Sequence, residues 1–277
     1  MSATVAGRRP VGLDELRRAW AAIEAGQFRA GHGPAAPRRG GGAAVRPWRL
    51  SEPVLPVLGC VGQAGASTLA LAIATVAGRA RVVECCSATA SGLAGAATAE
   101  LGTTGGGWAL ARREEVTLAR ACGVLAGVGE VPAPPDPAAP VELTVLDVGW
   151  DLGQVMATGG WVADTVSEAC TVVAVTSATV PGLRRGENAL TLLGADRVVL
   201  AVVGPARRRW PRPLAAAVGP QAATVERAGR MVCVPVHGRL AIHGLDTTAL
   251  PRPVLGAAAT ILGQAGLGTP PSEGHPS

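Results

Sequence analysis

The 277-residue sequence contains no lysine, and all 25 of its basic residues are arginine. No binding site in this chain can therefore use the ammonium group of a lysine, whether from a neighbouring or from a distant position. Tyrosine is also absent and aromatic residues make up 3% of the chain, so alanine, valine and leucine must build the core. An alanine-rich chain without lysine is typical of a GC-rich genome, so coding bias explains part of this absence.

Long hydrophobic runs and paired cysteine motifs are absent as well. No apolar run reaches the roughly 20 residues that span a bilayer, and no charged segment followed by an apolar run indicates a signal peptide. We therefore expect a cytoplasmic protein with reduced thiols. The six cysteines lie on or beside apolar segments, and we interpret the three that end predicted strands as core residues rather than a soft-metal or redox site: these are Cys60, Cys85 and Cys86.

The net charge of +5 is unevenly distributed along the chain. Residues 1–50 contain nine arginines and three acids, whereas the rest contains 16 arginines and 17 acids. The basic character therefore belongs to an N-terminal arm. That arm is either a solvated extension or a contact for nucleic acid or another acidic surface.

The composition divides the chain into four parts. An amphipathic helix is predicted in the first part, because Leu13, Leu16, Trp20 and Ile23 recur at helical spacing. The second part is a linker rich in proline, glycine and arginine. The predicted boundaries are 1–31 for the helical arm, 32–52 for the linker, 53–265 for the main domain and 266–277 for a disordered tail.

The main domain alternates short apolar strands with helices. Strands are predicted at 54–61, 80–86, 141–150, 171–178, 197–204 and 230–236, and helices at 67–78, 109–127, 153–169, 181–194 and 253–264, with a loop and helix within 89–102. This alternation predicts an α/β fold, in which helices cover both faces of a mainly parallel sheet. Ligands of such sheets bind at the carboxyl ends of the strands.

A glycine-rich turn follows the first predicted strand. Gly62 and Gly65 precede Ser67 and Thr68, which begin a helix. Glycines in such a turn let backbone N–H groups converge on a phosphate, and the serine hydroxyl can reach Mg²⁺. The common form of this loop has a lysine where this sequence has Ala66. The turn is thus either a phosphate-binding loop without lysine or a tight turn that binds nothing.

The order of the loop, the strands and the segments TVLDVG, VVAVTSATVPGLRR and VVLAVVG resembles the MinD/ParA-like P-loop ATPases over roughly residues 53–265. The family's deviant Walker A loop reads K-G-G-x-G-K-[ST]-T. Here Val61 and Ala66 replace both lysines, and Gln63 replaces one glycine. The resemblance implies a three-layer P-loop fold whose phosphate-binding residues are Gly62, Gln63, Ala64, Gly65, Ala66, Ser67 and Thr68.

The resemblance also implies a Mg²⁺ site and a site for the base. Asp147 matches the Walker-B-like aspartate, so Mg²⁺ would be held by Ser67 and Asp147 if a nucleotide binds; alternatively, Asp147 is a turn or cap residue. Glu84 retains the first acid of the family's D-x-D segment. The asparagine that often reads adenine is replaced by Gly204.

Several arginines are candidates for further contacts. Arg184 and Arg185 follow the fourth strand and could bring charge to the loop. The segment 206–213 could contact nucleic acid or an anionic membrane or could simply be solvated; its arginines are Arg207, Arg208, Arg209 and Arg212. His237 and His243 show no partner pattern and are interpreted as ordinary residues.

The departures from the family pattern fall on catalytic positions. We therefore expect a noncatalytic or weakly active adaptor, nucleotide-responsive or nucleotide-independent, in partitioning, positioning or plasmid and conjugation functions. It could form a homodimer or bind a protein partner. One alternative is an ATPase that binds ATP or ADP with Mg²⁺ through a lysine-free loop. Another is a DNA-associated accessory protein that uses its basic arm, residues 1–50.

Overall fold

The computed structural model describes residues 52–267. The predictions for the N-terminal helix, for the linker up to residue 51 and for the tail from residue 268 lie outside the described residues. Within the described part, no helix is long and apolar enough to cross a membrane.

The described residues form a nine-stranded sheet. Its strands are β1 (Val54–Gly59), β2 (Ala80–Glu84), β3 (Ala99–Thr103), β4 (Trp108–Arg113), β5 (Val116–Ala121), β6 (Leu143–Asp147), β7 (Val172–Ser177), β8 (Val198–Val203) and β9 (Met231–Val234). Their order is β3-β4-β5-β2-β6-β1-β7-β8-β9. β4 runs in the opposite direction to the other eight strands, which are all parallel to one another. The predicted fold class is therefore confirmed, and all six predicted strands are present.

Helices cover both faces of this sheet. In the described range they are α1 (Ala66–Ala77), α2 (Leu152–Thr158), α3 (Trp161–Glu168), α4 (Val180–Leu193), α5 (Arg212–Ala215), α6 (Pro220–Arg227), α7 (Gly238–His243) and α8 (Arg252–Gln264). One buried apolar cluster contains α1 and α8, and a second contains α2, α3, α4 and α6. The two clusters lie on opposite faces, because alternate residues of one strand join different clusters: Val57 belongs to the first and Leu58 to the second.

The central strands place the glycine loop in the middle of the sheet's carboxyl edge. β1 pairs with β6 on one side and β7 on the other. Every residue of β6 is buried, and so is nearly every residue of β7 and β8. Continuous valine- and leucine-rich segments of this kind form strands that are covered on both faces. The loop after β1 therefore lies beside the ends of β6 and β7.

The prediction of a helix at 109–127 was wrong. This segment forms the hairpin of β4 and β5, with a turn at Glu114 and Glu115 in which Glu114 has a φ of 52°. Its alanine, leucine, arginine and glutamate residues favour helices, and the turn lacks the usual glycine or asparagine. Burial of Trp108 and Leu118 and pairing of β5 with β2 outweigh that local preference.

Two other helix predictions also need correction. The segment 89–102 forms two short 3₁₀ turns, at 88–90 and 94–96, and the edge strand β3 in place of the predicted helix. The predicted helix at 153–169 is interrupted, because Gly159 and Gly160 both adopt positive φ angles, of 71° and 91°. α2 and α3 are therefore separate helices.

Candidate phosphate-binding site

The loop between β1 and α1 has a conformation suited to an anion. Gln63 and Gly65 adopt left-handed φ angles of 58° and 86°, and Gly65 is the N-cap residue of α1. A left-handed non-glycine residue is uncommon and indicates a constrained turn. Gly62 and Gln63 are exposed, and Gln63 lines the cleft that opens beside the loop.

The first turn of α1 offers unpaired backbone donors. No acceptor among residues 52–267 pairs with the N–H groups of Gly65, Ala66, Ser67 or Thr68. Leu69 is the first to donate within the helix, to the Gly65 carbonyl at 2.9 Å. Unpaired N–H groups at the positive end of a 12-residue helix are a site for an anion.

A cleft of about 480 Å³ opens beside this turn. Its wall runs from Gly65 and Thr68 past Ser177 and Thr179 to Gly204, at the carboxyl ends of β7, β8 and β9. Most of the lining is apolar, and of the described residues that line it none is an arginine. The cleft can therefore enclose a flat apolar group next to the loop, but its own side chains bring no permanent positive charge.

The sequence did not indicate some of the residues in this cleft. His237, interpreted as ordinary from the sequence, lies in its wall together with Pro235 and Leu240. Their position follows from β9 ending at the same sheet edge as β1, and only the general rule on carboxyl ends pointed there. Arg184 and Arg185 are exposed on α4 and line neither the loop nor the cleft.

Asp147 lies at the end of β6, behind Ser67. It is 1% exposed, and neither carboxylate oxygen has a hydrogen-bond partner within the described residues. Burial raises the pKa of Asp147 to about 7, the charge of Glu84 acts in the same direction, and the nearby Ser67 hydroxyl opposes both. The Ser67 hydroxyl approaches the carboxyl without completing a hydrogen bond. An unpartnered buried carboxyl beside a serine hydroxyl is a suitable pair of ligands for a hard cation.

Glu84 is the second acid at this edge, and both of its carboxylate oxygens accept hydrogen bonds. Its carboxylate accepts hydrogen bonds from Ser91 Oγ at 2.5 Å and from the N–H groups of Gly92 at 2.7 Å and Leu93 at 3.1 Å. A side chain at Gly92 would lie 3.1 Å from the Ser67 hydroxyl. Glu84 therefore fixes a turn that packs directly against Ser67, which is a structural role for the acid predicted as an accessory residue.

The hairpin of β4 and β5 supports the segment that follows this turn. Arg113 is buried, and its guanidinium donates to the carbonyl oxygens of Ala96 at 2.9 Å, Asp246 at 2.6 Å and Thr248 at 2.6 Å. The guanidinium thus joins the 3₁₀ turn at 94–96 to the segment that precedes α8. The antiparallel hairpin, which the sequence did not predict, contributes in this way to the surroundings of the site.

The segment 206–213 is more ordered than a solvated basic loop. Arg207 pairs with Glu226 at 2.7 Å and lies 4.6 Å above the ring of Trp210. Trp210 is buried and donates to the Pro205 carbonyl at 2.9 Å. Arg208, Arg209 and Arg212 are exposed. A contact of this segment with DNA or a membrane stays a prediction, as does any such contact of residues 1–50.

The cysteines next to the site have raised pKa values. Burial raises the pKa of Cys60 and of Cys86 to about 12 and that of Cys85 well above its ordinary value. Thiols in this state are neutral and poor metal ligands. Across residues 52–267 there is no group of three or more His, Cys, Asp or Glu side chains that could hold a metal ion.

No family model matches the sequence, and no curated protein matches it. Among solved structures, the chain is similar to the cell division ATPase MinD of Pyrococcus furiosus, with 12% identity over 76% of this chain and 99% of that chain and a TM-score of 0.48. MinD of Aquifex aeolicus is 12% identical over 76% of this chain and 97% of that chain, with a TM-score of 0.47. A plasmid partition protein of Borrelia burgdorferi bound to AMPPNP is 10% identical over 78% of this chain and 98% of that chain, with a TM-score of 0.44. These structures belong to the group that the sequence resembles, and at such identities the likeness concerns the fold alone.

Proposed function

We propose that this protein is a MinD/ParA-like P-loop protein that binds an adenine nucleotide with Mg²⁺, turns it over weakly or not at all, and acts as an adaptor in partitioning, positioning or mobile-element functions. The observation that carries the proposal is the open, lysine-free set of N–H groups at the start of α1, with the unpartnered Asp147 carboxyl behind it. A homodimer and a protein partner are part of the same proposal.

Phosphate binding follows from the backbone of the loop. The N–H groups from Gly65 to Thr68 require an acceptor, and the α1 dipole favours an anion at the same place. The adjoining cleft would take the base and ribose, since its walls are mainly apolar and its polar groups include the hydroxyls of Ser177 and Thr179.

Mg²⁺ would be held by the Ser67 hydroxyl and the Asp147 carboxylate. The donor set fits, because both groups offer oxygen ligands and the carboxylate has no other partner among the described residues. The ion would supply the positive charge that Val61 and Ala66 do not bring to the phosphates. Nucleotide binding should therefore depend more on Mg²⁺ than it would in a loop with lysine.

Weak turnover follows from the same missing charge. Catalysis of phosphoryl transfer depends almost entirely on positioning and on stabilising negative charge. Removing one stabilising group of this kind from an active site typically slows the reaction by about 10²–10³-fold. With no lysine in the chain and no arginine among the described residues of the cleft, binding should persist where hydrolysis does not.

Isothermal titration of the full chain with ADP and ATP, with Mg²⁺ and with EDTA, tests binding. We expect micromolar to submillimolar affinity with Mg²⁺ and a loss of at least tenfold in EDTA or in the variant Asp147→Ala. Phosphate release from ATP should not exceed that of Asp147→Ala.

Each other outcome rejects a defined part of the proposal. Release well above the Asp147→Ala control would show a functional ATPase with a lysine-free loop. No heat and no thermal shift at millimolar nucleotide would exclude nucleotide binding and leave a nucleotide-independent adaptor.

A further inference from the structure

The cleft beside the loop adjoins a second depression on the surface. This arginine groove, of about 420 Å³, is lined by Gly204, Pro205, Ala206, Arg208, Arg209, Pro235 and Val236. Four of these residues also line the cleft: Gly204, Pro205, Pro235 and Val236. The cleft and the arginine groove therefore lie side by side, so a ligand in the cleft would have the groove next to it.

The two arginines of the groove are available to a ligand. Arg208 and Arg209 are exposed, and no carboxylate among residues 52–267 pairs with either of them. Arg207 differs, because it is held by Glu226 and the Trp210 ring. Within the described residues, no acidic side chain lines either the groove or the cleft. The arginine groove therefore brings positive charge next to a mainly apolar cleft.

The backbone that carries these arginines is fixed. Residues 207–209 form a 3₁₀ turn, in which the Arg209 N–H donates to the Ala206 carbonyl at 2.8 Å. The buried Trp210 anchors the turn through its hydrogen bond to Pro205. An ordered turn presents the two arginines that line the groove at lower entropic cost than a solvated loop would.

We propose that the ligand is a nucleotide with a second phosphate group, remote from the phosphate held by the loop. This inference rests on the proposed function, because it takes the loop as the site of the first phosphate. The mainly apolar cleft fits the base and sugar, the loop offers N–H donors to one phosphate, and the adjoining groove offers guanidinium groups to another. Arginine binds phosphate through paired, charge-assisted hydrogen bonds. A nucleoside bisphosphate and a 5′-phosphorylated dinucleotide both have this chemistry.

Titration calorimetry of the full chain in Mg²⁺ tests the inference with three probes: ADP, ADP that carries a further phosphate on the 3′ oxygen, and the dinucleotide ppApA, which keeps the diphosphate of ADP. The extra phosphate should strengthen binding of at least one of the latter two by about five- to tenfold over ADP, as expected for charge-assisted contacts at a partly exposed site. Whichever probe gains shows whether a terminal or a bridging phosphate reaches the arginines.

Matched variants separate this inference from the proposed function. In Arg208→Ala/Arg209→Ala the gain over ADP should disappear while ADP binds as before. Arg212→Ala removes an exposed arginine that does not line the groove and should keep the gain. Equal affinity for all three probes, or a gain that survives the double substitution, overturns the inference but leaves nucleotide binding intact. Failure of ADP itself to bind overturns both.

Discussion

Glu84 and Asp147 are paired in register at the carboxyl ends of β2 and β6, but within the described residues only the carboxylate of Glu84 accepts hydrogen bonds. The carboxylate of Glu84 is stabilised by three donors and supports the turn at 91–93. Asp147 is left without donors, next to a fixed negative charge, and its pKa is raised to about 7 by burial and by that charge. One acid is thus structural, and its neighbour can change protonation near neutral pH.

The first prediction concerns stability and pH. The pKa of Asp147 is about 7 in the fold, against an ordinary value of 3.8. Between these values the folded state keeps a proton that the unfolded state releases, so the free energy of unfolding should fall as the pH rises from about 4 to about 7. The contribution of this group is at most about 1.4 kcal/mol per pH unit. Above pH 7 this group no longer changes the free energy of unfolding with pH.

Asp147→Asn removes this contribution and keeps the shape of the side chain. Urea unfolding of both proteins at pH 5, 6, 7 and 8 measures it, because all other titrating groups are shared. The variant should gain stability over the natural protein as the pH rises. A difference between the two proteins that is constant with pH would contradict the raised pKa.

The second prediction concerns Mg²⁺ and pH. A cation binds the ionised form of Asp147, so the Mg²⁺-dependent part of ADP affinity should increase between pH 6 and pH 8. In Glu84→Gln the neighbouring charge is removed, the pKa of Asp147 falls, and the increase should move to lower pH. Calorimetric titrations over this range measure the midpoint. A midpoint that does not move in Glu84→Gln would exclude coupling between the two carboxyls.

The third prediction concerns the missing lysine. Ala66 begins α1 and is partly exposed, so the longer side chain in Ala66→Lys can extend toward bound phosphates. The substitution should increase affinity for Mg²⁺–ATP by about tenfold or more, since a charge-assisted hydrogen bond to phosphate contributes about 1.5–3 kcal/mol. Ala66→Met has similar length without charge and should leave affinity within about twofold. Equal effects of the two substitutions would show that the loop does not hold phosphate.

The sequence predicted the parts of this fold that depend on uniform patterns. The strands that became β1, β6, β7 and β8 are rich in valine and leucine and are buried on both faces, so composition identifies them. The site's loop was also identified, because glycines followed by Ser67 and Thr68 have a recognisable spacing. The hairpin of β4 and β5 was missed, since helix-forming residues there are held in strands by pairing with β2.

Interactions between distant segments account for the other omissions. Nothing in the local sequence shows that Glu84 accepts from residues 91–93. The sequence placed segment 206–213 at the ligand edge of the sheet, but not that Arg208 and Arg209 line a groove beside the cleft. Both depend on which strands end side by side, and strand order is a property of the whole sheet. The orphaned state of Asp147 is likewise visible only when all its neighbours are placed.

The fourth prediction concerns the buried guanidinium of Arg113. Arg113→Met keeps much of the apolar stem but leaves the carbonyl groups of Ala96, Asp246 and Thr248 without their donor. Of the three residues only Ala96 is buried, and water can reach the carbonyl groups of the half-buried Asp246 and the exposed Thr248. An unsatisfied buried polar group costs about 1–3 kcal/mol, so the substitution should destabilise the fold by about that amount. Arg112→Met changes the adjacent, exposed arginine and should alter stability by less than about 0.5 kcal/mol. Chemical denaturation that gives equal free energies of unfolding for the two variants would show that the hydrogen bonds of Arg113 do not stabilise the fold.

The fifth prediction concerns the turn after Asp147. Gly149 has a φ of 66°, and a Cβ atom there would lie 2.7 Å from the Cβ of Cys86, which is too close for two carbon atoms. Gly159 has a similar φ of 71° with nothing within 4 Å of the same position. Its ψ of −165° places Gly159 in a backbone region that essentially only glycine adopts, so Gly159→Ala should cost backbone strain of about 1–3 kcal/mol without a steric clash.

Gly149→Ala should cost that strain and, in addition, the displacement of β2 from the end of β6. We expect its destabilisation in urea to exceed that of Gly159→Ala by about 1–3 kcal/mol, the usual range for overpacking. Because the displaced segments carry Glu84 and Asp147, the variant should also lose the Mg²⁺-dependent part of ADP affinity, while Gly159→Ala keeps it. Equal destabilisation by the two substitutions would mean that the close contact between Gly149 and Cys86 does not hold the two strand ends together.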